Sequence, residues 1–110
     1  MISDYLNEMK EGVDKALEHY LLPSDRHPQN LIKSMHYSVF AGGKRLRPIL
    51  VLAAAEAING PVKQIMPFAL GVELIHTYTL IHDDLPALDN DDLRRGKPTN
   101  HIAFGEAAAI

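Results

Sequence analysis

A chain of 110 residues can build one small domain with a modest core, and 46% hydrophobic with 23% charged residues is the composition of a globular protein, not a disordered one. A net charge of -3 lacks the basic excess that nucleic-acid binding uses, and the absence of cysteine removes disulfides and thiolate metal sites. The amphipathic start carries Asp4 and Glu8 where a signal peptide needs an apolar run, and Glu56, Glu73 and His76 break the longest apolar tracts, so a cytoplasmic protein without membrane insertion is expected.

From Tyr5 to Leu22, apolar residues recur at Leu6, Met9, Val13, Leu17, Tyr20 and Leu21, at the steps of an amphipathic helix. Ser3 or Asp4 is placed to cap it and Pro23 to end it. A loop over Pro23 to Gln29 should lead into a second helix, Asn30 to Phe40, buried through Leu31, Ile32, Met35 and Val39.

Gly42-Gly43-Lys44-Arg45-Leu46-Arg47-Pro48 follows. The glycines stop the second helix, Pro48 suits the first turn of the next, and three cations sit between them ahead of a helix N-terminus, which favours anions. The spacing is not that of a Walker P-loop. Taken alone, the stretch reads first as a surface loop.

Pro48 to Asn59 predicts a third helix, apolar enough to be buried on most sides and closed by Gly60-Pro61. A fourth begins near Val62, tolerates Pro67 in its early turns and runs through Gly71 toward residue 83, with Phe68 to Ile81 as the spine of the core. Strand signals are poor throughout, so the fold class is all-α.

Directly behind that helix stand Asp83, Asp84, Asp89, Asp91 and Asp92, and ahead of them Arg94, Arg95 and Lys97. Crowded carboxylates repel, and a hard divalent cation such as Mg²⁺ is the natural counter-charge. An EF-hand is excluded, because the loop glycine would have to be Arg94. On an unbroken helix Asp83 and Asp89 would lie about 120° apart. Pro86 removes the N–H that would bond to His82 and clashes with that turn, so the helix should end near Leu85 and let Asp89 fold back toward Asp83.

His76 shares a helix face with Asp83, about 10 Å below it along the axis. Alone it reads as a packed histidine; aligned with a metal site it is a candidate phosphate contact, and His82 is ambiguous in the same way. Gly96-Lys97-Pro98 should make a turn, with Thr99 or Asn100 capping a helix that starts near His101 and contains Glu106. That helix-favouring run stops uncapped at Ile110, which suggests the N-terminal part of a longer chain, residues 1–110 forming part of a single domain.

The two separated motifs, Gly42 to Pro48 and Asp83-Asp-Leu-Pro-Ala-Leu-Asp89 with Arg94 and Arg95 behind it, together resemble the trans-prenyl diphosphate synthases, nearest to the bacterial farnesyl diphosphate synthases, or geranyltranstransferases. The resemblance implies the helical bundle of the isoprenoid synthases, a homodimer, and condensation of isopentenyl diphosphate with dimethylallyl and geranyl diphosphates. It implies that Asp83, Asp84 and Asp89 hold Mg²⁺ on the allylic diphosphate, that Lys44, Arg47, His76 and Arg95 bind isopentenyl diphosphate, and that Arg94 contacts the allylic diphosphate. In that family a bulky residue five positions before the first aspartate can act as the floor of the product cavity. Tyr78 followed by Thr79 then implies farnesyl product, unless Tyr78 merely packs between helices. Alternatives are a geranylgeranyl diphosphate synthase and a non-catalytic association subunit. A class I terpene cyclase would share the aspartates but not the Gly42 to Pro48 turn.

Overall fold

The structure is a computed structural model that describes residues 1–21, 23 and 25–110. The chain divides into two compact units, the first made of residues 1–21 and 44–75 and the second of residues 22–43 and 76–110. As the apolar periodicity requires, the described residues are mainly helical, with one hairpin of two-residue strands that the sequence did not signal.

The first unit is built on α1 (Ile2–Tyr20) and α3 (Leu46–Ala57), which pack together, and on residues 62–75 of α4 (Val62–Asp83). Its core holds Val13 and Leu17 from α1, Ile49, Leu52 and Ala55 from α3, and Ala69 and Leu70 from α4. Helix α1 begins earlier than expected and uses neither Ser3 nor Asp4 as a cap: Met1 occupies that position without a side-chain bond. Asp4 sits inside the first turn instead, 3.3 Å from the terminal ammonium, where a negative charge offsets the helix dipole. Leu21 is already extended at φ -71 and ψ 141, in keeping with a chain approaching a proline; the expected last helical residue, Leu22, lies outside the described residues, as does Ser24 in the loop. Tyr20, placed on the buried stripe by its spacing, is exposed and meets His19 edge-on.

Helix α3 starts at Leu46, two residues before Pro48. Burial on most sides is corrected as well: Leu46 and Leu50 are exposed, because the core residues of α3 lie on its other side. Its end is a Schellman closure, with Asn59 at φ 56, its N–H donating to Glu56, and the Gly60 N–H donating to Ala55 at 2.7 Å. A β-carbon at Gly60 would stand 3.1 Å from that same Ala55 oxygen, a tight approach that favours glycine. The apolar run of α4 is similarly one-sided, with Phe68, Val72 and Ile75 exposed.

The second unit contains α2 (Gln29–Val39), the last turns of α4, the hairpin β1 (Leu93–Arg94) and β2 (Lys97–Pro98), and the short helices α5 (Asn100–Phe104) and α6 (Glu106–Ala109). Helix α2 packs on α5 and α6. Ile32 and Val39 are buried as expected, whereas Leu31 and Met35 are exposed. The difference is polar: Ser34 is buried, its hydroxyl donating to Asn100 Oδ1 at 2.9 Å. Asn100 Nδ2 in turn donates to the Ser34 carbonyl at 3.0 Å and the Ser38 hydroxyl at 2.8 Å. A helix-period reading looks for apolar residues and passes over a face buried through hydrogen bonds. The helix expected to contain both His101 and Glu106 is broken at Gly105, whose φ of 89 and ψ of 159 are not helical, so Glu106 opens α6 instead. No helix among the described residues is long and apolar enough to cross a membrane.

Candidate active site

Pro86 has the effect its chemistry dictates. Helix α4 stops at Asp83, the Leu85 N–H closes a tighter turn on His82 at 3.1 Å, and the chain reverses. The Asp89 N–H then donates to the Asp83 carbonyl at 2.8 Å, and the Asp91 N–H to the Asp84 carbonyl at 3.1 Å. Carbonyls that a helix end leaves unpaired are thus satisfied by the returning loop, with Asn90 in the left-handed region at φ 52 making the reversal. Asp83 and Asp89 come together at the helix tip, and both are exposed.

Asp84 is placed differently. It is 3% exposed, and Arg94 Nε and Nη2 donate to its two carboxylate oxygens at 2.9 and 2.8 Å. A buried carboxylate needs a fixed cation, and the two-pronged guanidinium fits it closely. The same bond raises the Arg94 pKa above its ordinary value, partial burial opposing and the charges of Asp84, Asp91 and Asp83 adding to the rise. The three aspartates read together from the sequence therefore separate into an exposed pair and a buried, ion-paired third.

Arg94 is carried to this position by the hairpin, whose register pairs it with Lys97. Arg95 and Gly96, at φ 51 and 75, form a two-residue turn of the kind that matches strand twist. The hairpin is laced down at several points: Arg95 Nη1 donates to the Gly42 carbonyl at 3.1 Å, the Tyr37 hydroxyl to the Pro98 carbonyl at 2.7 Å, and the Thr99 N–H to the Asp92 carbonyl at 2.9 Å. Thr99 is the first residue before α5, as expected of a cap, yet its hydroxyl donates to the Asp91 carbonyl at 2.7 Å instead of capping. With that hydrogen committed, the 3.3 Å contact to His101 is donated by His101 Nδ1.

On the last turns of α4, the Thr79 hydroxyl donates to the His76 carbonyl at 2.7 Å. Tyr78 is 52% exposed and lies against His82, ring centres 4.5 Å apart. His82 Nε2 lies 3.0 Å from the Ile110 carbonyl oxygen, an acceptor that the Nε2–H tautomer can meet. His82 thus has a structural partner, and the half-buried His76 shares its unit with the acidic tip.

The cations of the basic turn, from Lys44 on, belong to the first unit. Lys44 and Arg47 are exposed, while the cation between them, Arg45, is buried and ion-paired to Asp14 and Glu73. Arg45 is the residue that sequence reasoning passed over. Its signal was Glu73, an acid in the middle of an apolar helix, since such a group is almost never buried without a partner.

As a donor set, Asp83 and Asp89 fit a Mg²⁺ ion, which takes one or two carboxylates and leaves its other positions to water and substrate oxygens. A cage made by protein alone does not fit: among the described residues no three of His, Asp or Glu gather as metal ligands.

Comparison with known proteins gives the arrangement a context. Residues 28–110 match the family model described as polyprenyl synthetase. The chain is 52% identical over 109 residues to farnesyl diphosphate synthase of Geobacillus stearothermophilus, covering 99% of this chain and 36% of that protein. It is 53% identical over 106 residues to a chloroplastic geranylgeranyl pyrophosphate synthase of Catharanthus roseus, covering 96% of this chain and 29% of that one. A solved geranyltransferase structure from Legionella pneumophila superposes with a TM-score of 0.89 at 42% identity, over 97% of this chain and 38% of that chain. The chain thus spans about a third of the length of the relatives it matches.

Proposed function

The chain belongs to the polyprenyl synthetase family, and on that premise we propose that its activity is the condensation of isopentenyl diphosphate with dimethylallyl and geranyl diphosphates to give farnesyl diphosphate. The observation that carries this reading is the reversal at Pro86, which sets the Asp89 N–H on the Asp83 carbonyl and leaves two exposed carboxylates beside an Arg94 locked in place by Asp84.

In this reading Asp83 and Asp89 would hold Mg²⁺, and Asp84 acts through Arg94. Such an ion, when bound, would supply positive charge that stabilises the departing diphosphate. Arg94 commits two N–H groups to Asp84 and keeps its others for a diphosphate oxygen, already oriented before charge develops. Lys44, Arg47, His76 and Arg95 serve the isopentenyl diphosphate. The allylic carbon–oxygen bond breaks, the isopentenyl double bond attacks the carbocation, the adduct gives up a proton to the departing diphosphate, and inorganic diphosphate is released. No protein nucleophile takes part. The product is farnesyl diphosphate if Tyr78 limits chain growth, and geranylgeranyl diphosphate if it does not. The working enzyme is a cytoplasmic homodimer.

Substituting these residues for the corresponding segment of the Geobacillus enzyme tests the reading. The chimera should form farnesyl diphosphate from geranyl and isopentenyl diphosphates, and Asp83→Ala or Asp89→Ala within it should lower kcat by at least about 100-fold. A chimera that folds and whose rate is indifferent to both substitutions overturns it.

A further inference from the structure

Three cations occupy the turn at Lys44 to Arg47, and the middle one is spent inward. Arg45 is 5% exposed. Its Nε donates to Asp14 Oδ1 on α1 at 2.8 Å and its Nη1 to Glu73 Oε1 on α4 at 3.1 Å. One guanidinium is therefore gripped by two helices. Lys10 Nζ meets the other oxygen of Asp14 at 3.1 Å, which orients that carboxylate toward Arg45.

The same residue precedes α3 in the left-handed conformation, at φ 55 and ψ 28. A side chain with a β-carbon disfavours that region, and a residue stays there only where its surroundings over-determine it. Asp14 and Glu73 are those surroundings. The conformation at Arg45 sets the direction in which the chain passes from Lys44 into the first turn of α3, where Arg47 lies, and both flanking cations are exposed.

We propose that Asp14 and Glu73, by clamping Arg45, are positioning residues for the diphosphate contacts made by Lys44 and Arg47, a proposal that rests on the reading of those two residues given above. Neither carboxylate touches the ligand. They hold the left-handed turn that presents the two outward cations, so the geometry for the anion exists before the anion arrives.

The test is a titration with sodium pyrophosphate of the full-length chimera described above, its unsubstituted form serving as the wild type, followed by the amide signals of residues 44–47, with far-UV circular dichroism to verify folding. The wild type should show saturable shifts, and Lys44→Ala should weaken binding. The double variant Asp14→Asn with Glu73→Gln keeps Lys44 and Arg47 yet should bind about tenfold more weakly and lose the left-handed coupling constant at Arg45. Adding Arg45→Gly to it should restore affinity to within about twofold of the wild type, because glycine takes positive φ without a clamp. Wild-type affinity in the double variant, or an unchanged coupling constant, overturns the proposal. A wild type that does not bind, or Lys44→Ala binding normally, instead overturns the assignment of Lys44, and the coupling constant still decides the clamp. Should the double variant unfold, Asp14→Asn alone takes its place, with about threefold weaker binding expected and unchanged binding counting against the clamp.

Discussion

Arg94 meets Asp84 through two hydrogen bonds, Nε to one carboxylate oxygen at 2.9 Å and Nη2 to the other at 2.8 Å, with the carboxylate almost wholly buried and the arginine side chain 35% exposed. Removing the arginine leaves a buried charge unpaired. Arg94→Ala should therefore cost about 2–3 kcal/mol, less than the loss of a fully buried partner because the arginine still reaches solvent. Urea unfolding measures it. Arg94→Lys should recover less than half of the loss, since an ammonium cannot make the paired bonds of the guanidinium.

Asn100 binds α5 to α2 with all of its amide: one bond accepted from Ser34 and one each donated to the Ser34 carbonyl and the Ser38 hydroxyl. Asn100→Ala strands buried polar groups on α2 and should destabilise by about 1–3 kcal/mol. Combining it with Ser34→Ala should cost less than the sum of the two single changes, which a double-mutant cycle reads directly.

Much of this was legible in the order of residues. Pro86 announced the end of α4 and the return of Asp89, because a missing N–H and a steric clash are local facts. The Gly60-Pro61 stop and the Val62 start were legible for the same reason. What was not legible depends on partners distant in sequence. The split of Asp84 from Asp83 needs Arg94, ten residues on, and the inward turn of Arg45 needs Asp14 and Glu73, on α1 and α4. Ser34 and Asn100 are 66 residues apart, and neither carries an apolar signal.

Tyr5 donates its hydroxyl to Glu56 Oε2 at 2.8 Å. The hydrogen bond, then slight burial and the nearby negative charge, raise the Tyr5 pKa above 10.0. A folded-state pKa above the unfolded one means that the bond's contribution is complete below about pH 10 and is lost as pH rises through the higher folded value. The ultraviolet difference spectrum between wild type and Tyr5→Phe isolates this phenol. Its midpoint should lie above 10.0 and fall in Glu56→Gln; a midpoint at or below 10.0 contradicts the assignment.

Tyr78 stands five residues before Asp83, about 7.5 Å down the axis at 1.5 Å per residue, and its ring rests on His82 while half its surface stays open. A prenyl chain anchored by its diphosphate at the helix tip and lengthening along α4 would reach that ring within a few isoprene units. If the ring is what stops it, Tyr78→Ala in the chimera should shift the product from farnesyl toward geranylgeranyl diphosphate, with the first condensation slowed by no more than about threefold because the charged groups are untouched. Tyr78→Phe separates bulk from the hydroxyl and should leave chain length as it was. The readout is chromatography of the dephosphorylated alcohols. An unchanged distribution in Tyr78→Ala would assign the ring to packing against His82 alone, and the limit to chain growth would then lie elsewhere.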